Sequence, residues 1–512
     1  MLARVCSSAV IGVDAYRIDV EVDQSRGLPH FATVGLAEGA VRESRVRVES
    51  ALRNCSLEFP RRRITVNLAP ADVRKAGTAF DLPIALGLVS ASEPLEAEKL
   101  ASTVVVGELG LNGEVRPVPG VLSMALMARS EGIGEMVCPA ACAAQASVVG
   151  GVRVLPVNHL REAVLHFAGE REIEPLWIDP AEVMKERGGT AGVDFAEVRG
   201  QQHVKRALEV AAAGGHNLLL VGPPGTGKTM LARRLPTIMP ALSFEEAIET
   251  TKVYSIMGLT RPGSALVTRR PFRAPHHTVS DAGLVGGGPV PRPGEVSLAH
   301  NGVLFLDELP EFRKNVLEVL RQPLEDEQVT IARASMSLQF PAKIMLVAAM
   351  NPCPCGYLTD PDKTCLCSPQ SIQRYRARVS GPLLDRIDIQ VEVPAVPCRD
   401  LMRRPTGESS AVIRGRVVAA RRHQSRRFQD LPGVACNARM GPASVQKHCV
   451  LADAERALLE RAVRQMGFSA RAYERILKVS RTIADLEGAD RIASTHLAEA
   501  IQYRSLDRDA IR

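Results

Sequence analysis

At 512 residues, with 46% hydrophobic and 24% charged residues, the chain has the composition of a folded protein of about two to four domains, which excludes disordered and fibrous classes. A formal net charge of +7 permits nucleic acid as a partner without demanding it. No run of about eighteen apolar residues occurs, and Asp14 interrupts the N-terminal stretch, so we expect neither a membrane span nor a signal peptide and read a cytoplasmic protein. Eleven cysteines are too sparse for a secreted disulfide scaffold, and four of them crowd between Cys353 and Cys367, which points to a metal site in a reducing compartment.

From residue 1 to 167, short Val/Ile-rich alternating runs (16–22, 63–68, 103–106, 153–156) alternate with helix-like stretches (38–52, 120–130), predicting an α+β domain. Residues 168–193, polar and carrying Pro175, Pro180 and Gly188-Gly189, read as a linker. An α/β unit is expected over 194–395, with the cysteine cluster as an insertion at 353–367. It opens with a helix at 203–213 that sets Val204, Ala207, Leu208 and Ala211 on one face and stops at Gly214-Gly215; an apolar strand follows at 218–221. From 396 to 512 no strand run occurs, and the arginine- and alanine-rich stretches 455–465, 470–485 and 495–503 predict a helical region.

The run Gly222-Pro223-Pro224-Gly225-Thr226-Gly227-Lys228-Thr229 fits G-x-x-x-x-G-K-[ST], after an apolar strand and before a helix at 230–235. Glycines let backbone N–H groups wrap phosphates, and the following helix points its positive end at them. Lys228 is expected on the β- and γ-phosphates of ATP, and the Thr229 hydroxyl on Mg²⁺. The apolar run 303–306 ends in Asp307 and Glu308; Asp307 is expected in the Mg²⁺ shell, and Glu308 to polarise the attacking water. A solvated acidic turn is the competing reading, and it loses weight with a phosphate loop upstream. A third apolar run, 344–349, leads to Asn351, whose amide is expected to orient the same water.

In order, residues 222–229, Asp307-Glu308, Asn351, the stretch 380–388 containing Arg386, and Ser469-Ala470-Arg471 resemble Walker A, Walker B, sensor 1, arginine finger and sensor 2 of AAA+ ATPases. The resemblance implies a ring, usually a homo-hexamer, in which Arg386 reaches the γ-phosphate held by the adjacent subunit while Arg471 reports on the phosphate of its own. Taken alone, Arg386 is one of many arginines, with a surface salt bridge as its bland role. The stretches 200–207, 214–220, 270–280 and 351–356 are similar to the magnesium-chelatase-like AAA+ group, in its bacterial YifB/ComM branch. That branch implies an ATP-driven DNA motor, a helicase that migrates branches while incoming single-stranded DNA is recombined during natural transformation. The alternative is a motor that remodels a protein or chelatase-type client; true chelatase motor subunits are not expected to carry the leading domain.

The leading domain resembles the Lon protease domain and the ribosomal-protein-S5-like fold beneath it, through residues 72–85 and 107–118. A Lon-type peptidase needs a serine nucleophile and a lysine base. Ile84 stands where the serine should follow the proline, and no lysine occurs between Lys99 and Lys185, so we expect no peptidase activity.

Single-stranded or branched DNA, the partner implied by the resemblance, would be contacted by Arg273 and Arg292 in the insertion between the Walker motifs, and by Arg333 in a predicted hairpin at 328–339. The insertion either projects into a central pore or packs on a neighbouring subunit. His276 and His277 find no Glu or Cys nearby in the insertion to make a metal site and read as loop packing. Between 399 and 430, nine arginines face three acids, either a phosphate-binding surface or a solvated helix face. Cys353, Cys355, Cys365 and Cys367 form C-x-C, nine residues, C-x-C, a set able to hold Zn²⁺, with buried thiols as the competing reading.

Overall fold

The computed structural model describes all residues except 37, 73–74, 186–191, 262, 289–290, 334–335, 397–406, 432 and 507–512, and of 333 and 336 it describes the backbone alone. Contacts divide the chain into two units. One contains Met1–Arg187, Ser243–Thr268 and Ala332–Phe340; the other contains Gly188–Leu242, Arg269–Ile331 and Pro341–Arg512.

In the first unit, alternation of apolar residues makes Asp14–Ser25 a strand with one buried face, and Ile18, Val20 and Val22 point inward. It pairs antiparallel with Leu2–Ile11 and Arg63–Ala69, and His30–Val34 closes the sheet parallel to Arg63–Ala69. A second sheet, all parallel, comprises Thr103–Val105, Glu135–Pro139 and Arg153–Val157. The helix Asp81–Val89 is buried along its whole length, Ile84 included. Gly87 lets it approach the first sheet: a Cβ there would lie 2.6 Å from Val22 Cγ2. The Asp81 carboxylate at its start is gripped by Arg47 through two bonds, Nε to Oδ2 at 2.6 Å and Nη2 to Oδ1 at 2.9 Å. Burial nevertheless pushes the Asp81 pKa up against that pairing.

The segment Ser243–Thr268 lies in this unit although it follows the phosphate-loop helix in sequence. Its helix, Phe244–Ile256, starts in a reciprocal cap between Ser243 and Glu246. Lys252 pairs with Asp14 at 2.5 Å, and the Ser255 hydroxyl donates to Gln145 Oε1 at 2.8 Å while accepting from the Gly120 N–H at 3.2 Å. The stretch 194–395 is therefore not one contiguous core, because two of its pieces find their packing partners in the first unit.

The second unit is built on a five-stranded sheet in the order Phe272–Arg273, Val303–Leu306, Met345–Met350, Leu218–Val221, Ile389–Glu392, with every pair parallel. Its central strands are short apolar runs buried on both faces, as parallel strands require. Helix Gln202–Gly214 leads into it and ends at Gly215 in the left-handed conformation, φ 71°. The C-terminal part is helical, with Ser410–Arg427, Asp453–Met466, Ala470–Leu486 and Ser494–Gln502 as its longer helices. One apolar core runs from Leu218, Val347 and Ile389 of the sheet to Ile476, Ile483 and Leu497 of these helices.

Polar side chains also tie the sheet to the helices. His216 is fully buried, with Nδ1 3.2 Å from Asp388 Oδ2 and Nε2 2.8 Å from Thr482 Oγ1. Burial pushes the His216 pKa down, against the pull of Asp388. Burial alone would raise Asp388, but the Arg475 cation and the His216 hydrogen bond hold its carboxyl well below the usual carboxylate range.

Both folded-state pKa values thus lie below their unfolded values, so the unfolded chain binds more protons and stability is lost as pH falls. The His216 contribution is fully present above about pH 6.5 and the Asp388 contribution above about pH 4. We expect the thermal unfolding midpoint to fall between about pH 7 and pH 5, and His216→Asn to flatten that dependence. An unchanged slope in the variant would assign it to another group.

Candidate nucleotide site

The phosphate loop leaves the strand Leu218–Val221 at Gly222, where a Cβ would lie 2.2 Å from Val393 O, so only glycine fits. Gly225 and Gly227 take φ values of 80° and 86°, which turn the chain into the helix Lys228–Ile238. Gly227 caps that helix without a side chain, leaving its first N–H groups for a ligand.

Lys228 is buried and donates to Gly222 O at 2.7 Å, Pro223 O at 2.9 Å and Asn351 Oδ1 at 3.1 Å. Burial lowers its pKa, while Asp307 and Glu308 oppose the shift. The Thr229 hydroxyl donates to Asp307 Oδ2 at 2.6 Å. This pair of hard oxygen donors fits Mg²⁺, which takes few protein ligands alongside phosphate oxygens. Parallel register brings these groups together: Val221 pairs with Met350 and Leu306 with Ala348, so three strands end on one edge of the sheet.

Glu308 has φ 52°, an uncommon conformation for a residue with a side chain, and its carboxylate is exposed beside His277, with Nδ1 3.4 Å from Oε2. The His277 ring stands edge-on to Phe312 at 6.4 Å. Sequence reasoning assigns His277 to loop packing alone, because a histidine in a glycine-rich insertion carries no sign of the carboxylate it meets.

Three family profiles match in succession: "Subunit ChlI of Mg-chelatase" over residues 20–142, "Magnesium chelatase, subunit ChlI" over 194–401 and "Magnesium chelatase, subunit ChlI C-terminal" over 407–504. The chain is 46% identical to the competence protein ComM of Haemophilus influenzae over 512 residues, covering 99% of this chain and 98% of that protein. It is 45% identical to the uncharacterized protein YifB of Salmonella typhimurium over 509 residues, with 99% and 98% covered. The chain belongs to the magnesium-chelatase-like YifB/ComM family. A shorter match, 29% identity over 154 residues, links 28% of the chain to 27% of Lon protease 2 of Bacillus subtilis, in keeping with the Lon-like α+β fold of the first unit.

Family membership implies ATP and Mg²⁺, and the phosphate-loop edge of the sheet is where the geometry can hold them. Arg386 and Arg471 lie elsewhere. Arg386 comes just before the strand Ile389–Glu392, at the opposite edge of the sheet, and together with Arg471 it lines a cavity of about 210 Å³. A four-residue strand separates that edge from the phosphate loop, roughly 13 Å at about 3.3 Å per residue. The expectation that Arg471 reports on its own subunit's phosphate is corrected accordingly: parallel strands put residues 386 and 471 at the wrong end of the sheet for Lys228. Arg386 is buried, donates to Pro382 O at 2.6 Å, pairs with Glu325, and leaves Nε without a partner.

The proposed DNA contacts fare unequally. Arg273 makes a fork-on-fork pair with Glu295 at 2.6 and 2.7 Å. Arg292 is exposed at the start of the short strand Arg292–Pro293. Arg333 ends the strand Gln328–Arg333, and its side chain lies outside the described residues, as do Arg399, Arg403 and Arg404. Of the remaining arginines in that basic stretch, Arg416 pairs with Glu209 and Glu408, Arg421 donates to Ala212 O, and Arg427 pairs with Asp485, whereas Arg414, Arg422 and Arg426 are exposed.

Two substitutions separate binding from chemistry at the nucleotide site. Lys228→Ala removes the only charge in the loop and should weaken binding of a fluorescent ATP analogue at least about tenfold. Glu308→Gln should bind the analogue normally yet release phosphate about 100-fold or more slowly, as loss of a general base does. Normal turnover by either variant refutes the assignment.

Proposed function

We propose that the protein is an ATP-driven DNA motor, a homo-hexameric ring of the helicase type that migrates branches when incoming single-stranded DNA is recombined during natural transformation. Two supports carry the reading: 46% identity over nearly the whole length of a competence protein, and a cavity holding Arg386 and Arg471 at the end of the sheet opposite the phosphate loop. Lys228 neutralises the β- and γ-phosphates, Thr229 and Asp307 hold Mg²⁺, which offsets phosphate charge, and Glu308 draws a proton from a water that Asn351 orients. The cation that stabilises the departing charge is Arg386 from the next subunit. In support, Arg386 is on the far side of its own sheet, buried beside a cavity and held by Glu325. Arg471, which shares that cavity, joins Arg386 in facing the neighbour's nucleotide. Sequential hydrolysis around the ring then moves single-stranded or branched DNA by shifting basic residues, Arg292 and Arg333 among them.

The alternative, a protein-remodelling or chelatase-type client, differs in one cheap observable. Hydrolysis by a DNA motor should rise several-fold with single-stranded or four-way-junction DNA and lose that stimulation as salt rises, because phosphate contacts release counterions. Turnover indifferent to every DNA, at low and moderate salt alike, would move the assignment to another client.

Trans completion of the site makes a sharper prediction. Arg386→Ala should bind nucleotide and lose about a thousandfold or more in turnover, as removal of such a cation does. Mixing it with the equally inactive Lys228→Ala should restore part of the hydrolysis, since some interfaces then join an intact loop to an intact arginine. Failure of all mixtures to recover activity counts against a shared site.

A further inference from the structure

The four clustered cysteines occupy a stretch that needs a staple. Between Met350 and Pro369 the chain runs for 18 residues without helix or strand. Loops of that length are uncommon in a packed domain unless something ties them down. Apolar packing does little of that here: Leu366 is 90% exposed, and the buried residues of the stretch are Pro352, Cys353 and Gly356.

The cysteine sulfurs all lie within 4.8 Å of one another. Cys353 Sγ is 3.4 Å from Cys355 Sγ and 3.7 Å from Cys365 Sγ, and Cys355 and Cys365 are 3.6 Å apart. A disulfide would bring two sulfurs to about 2.05 Å. Four sulfurs at about 2.3 Å from a central Zn²⁺ stand about 3.8 Å apart along each edge of their tetrahedron. The spacing is therefore that of ligands around a metal, not that of oxidised pairs. All-thiolate donors select a soft or borderline ion, and a closed set of four leaves no position for catalysis, which makes the site a structural one.

The place where this loop touches the rest of the unit gives the site a consequence. The turn closed by Gly356 N–H on Cys353 O, at 3.0 Å, sets Gly356 at φ 86° directly against the phosphate loop: a Cβ there would lie 2.6 Å from Pro224 Cδ. Two residues before Cys353, Asn351 accepts the hydrogen bond from Lys228. Arg376 braces the same turn from the following helix by donating to Pro352 O at 3.2 Å.

We propose that Cys353, Cys355, Cys365 and Cys367 bind one Zn²⁺, and that this ion holds the 351–356 turn against Pro224, so that nucleotide binding by the phosphate loop depends on the metal. Release of the ion frees the turn, and Pro224 and Asn351 lose their support together. The proposal rests on reading the loop as a nucleotide site.

The test uses the full-length protein. Elemental analysis should find about one equivalent of zinc per chain; less than a tenth of an equivalent overturns the site. Cys365→Ser/Cys367→Ser should lose the zinc and bind a fluorescent ATP analogue at least tenfold more weakly, with the far-UV circular dichroism of the wild type. Wild-type affinity without zinc overturns the coupling. If that variant fails to fold, chelation of the wild type should weaken analogue binding and added Zn²⁺ should restore it, and chelation without effect on binding overturns the coupling equally. Gly356→Ala should keep its zinc and still bind nucleotide more weakly, because its Cβ would meet Pro224 Cδ and the turn would have to hold alanine at a left-handed φ; unchanged affinity overturns the contact as the route. Zinc-replete wild-type protein that binds no nucleotide overturns the underlying reading of the loop, a failure distinct from all of these.

Discussion

Lys228 carries a positive charge into a buried site where its protons meet Gly222 O, Pro223 O and Asn351 Oδ1, all neutral acceptors. Dipoles alone answer a desolvated ammonium poorly, which is why burial lowers its pKa. An arriving phosphate supplies the missing anion, and it does so where the helix Lys228–Ile238 already offers unpaired N–H groups. The surrounding architecture keeps this cation in place. Gly222 passes close under Val393 O, the strand register sets Asn351 beside the ammonium, and Thr229 and Asp307 stand ready for the metal that accompanies the phosphates.

Strand polarity then divides the chemistry between two edges of one sheet. Phosphate-binding groups gather where strands end, while Arg386, Asp388 and Asn217 gather where they begin. The second edge is as tightly built as the first: Asp388 receives Arg475 and His216, His216 reaches Thr482, and Asn217 donates to Arg386 O at 2.9 Å. The Arg386 guanidinium is fixed by Pro382 O and Glu325 and has no partner at Nε. Pairing with Glu325 keeps that cation from being buried without a counter-charge.

Short-range pattern makes the parallel-sheet unit legible. Runs such as 218–221 and 303–306 are apolar throughout, as buried parallel strands must be, and the phosphate loop compresses its whole requirement into residues 222–229. The helical C-terminal region was equally readable from the spacing in 455–465 and 470–485. Long-range facts left no such trace. Leu2–Ile11 has an uneven pattern, with five consecutive buried residues, so alternation does not announce it as a strand. Arg273 looks like any other exposed arginine until folding brings Glu295 to it, and His277 meets Glu308 only across the sheet edge. The location of Arg471 is a matter of sheet direction, which a motif in one dimension does not encode.

The insertion that joins the Walker motifs shows the same limit in its most consequential form. Phe244–Ile256 is an ordinary capped helix by sequence, and nothing in it names a partner. In the fold it belongs with the N-terminal unit, anchored through Lys252 to Asp14 and through Ser255 to Gln145 and Gly120. Only residues 239–243 separate this anchored helix from the end of the phosphate-loop helix at Ile238. The chain thus passes from the phosphate-loop helix into the first unit, where isoleucine is buried at position 84, within five residues.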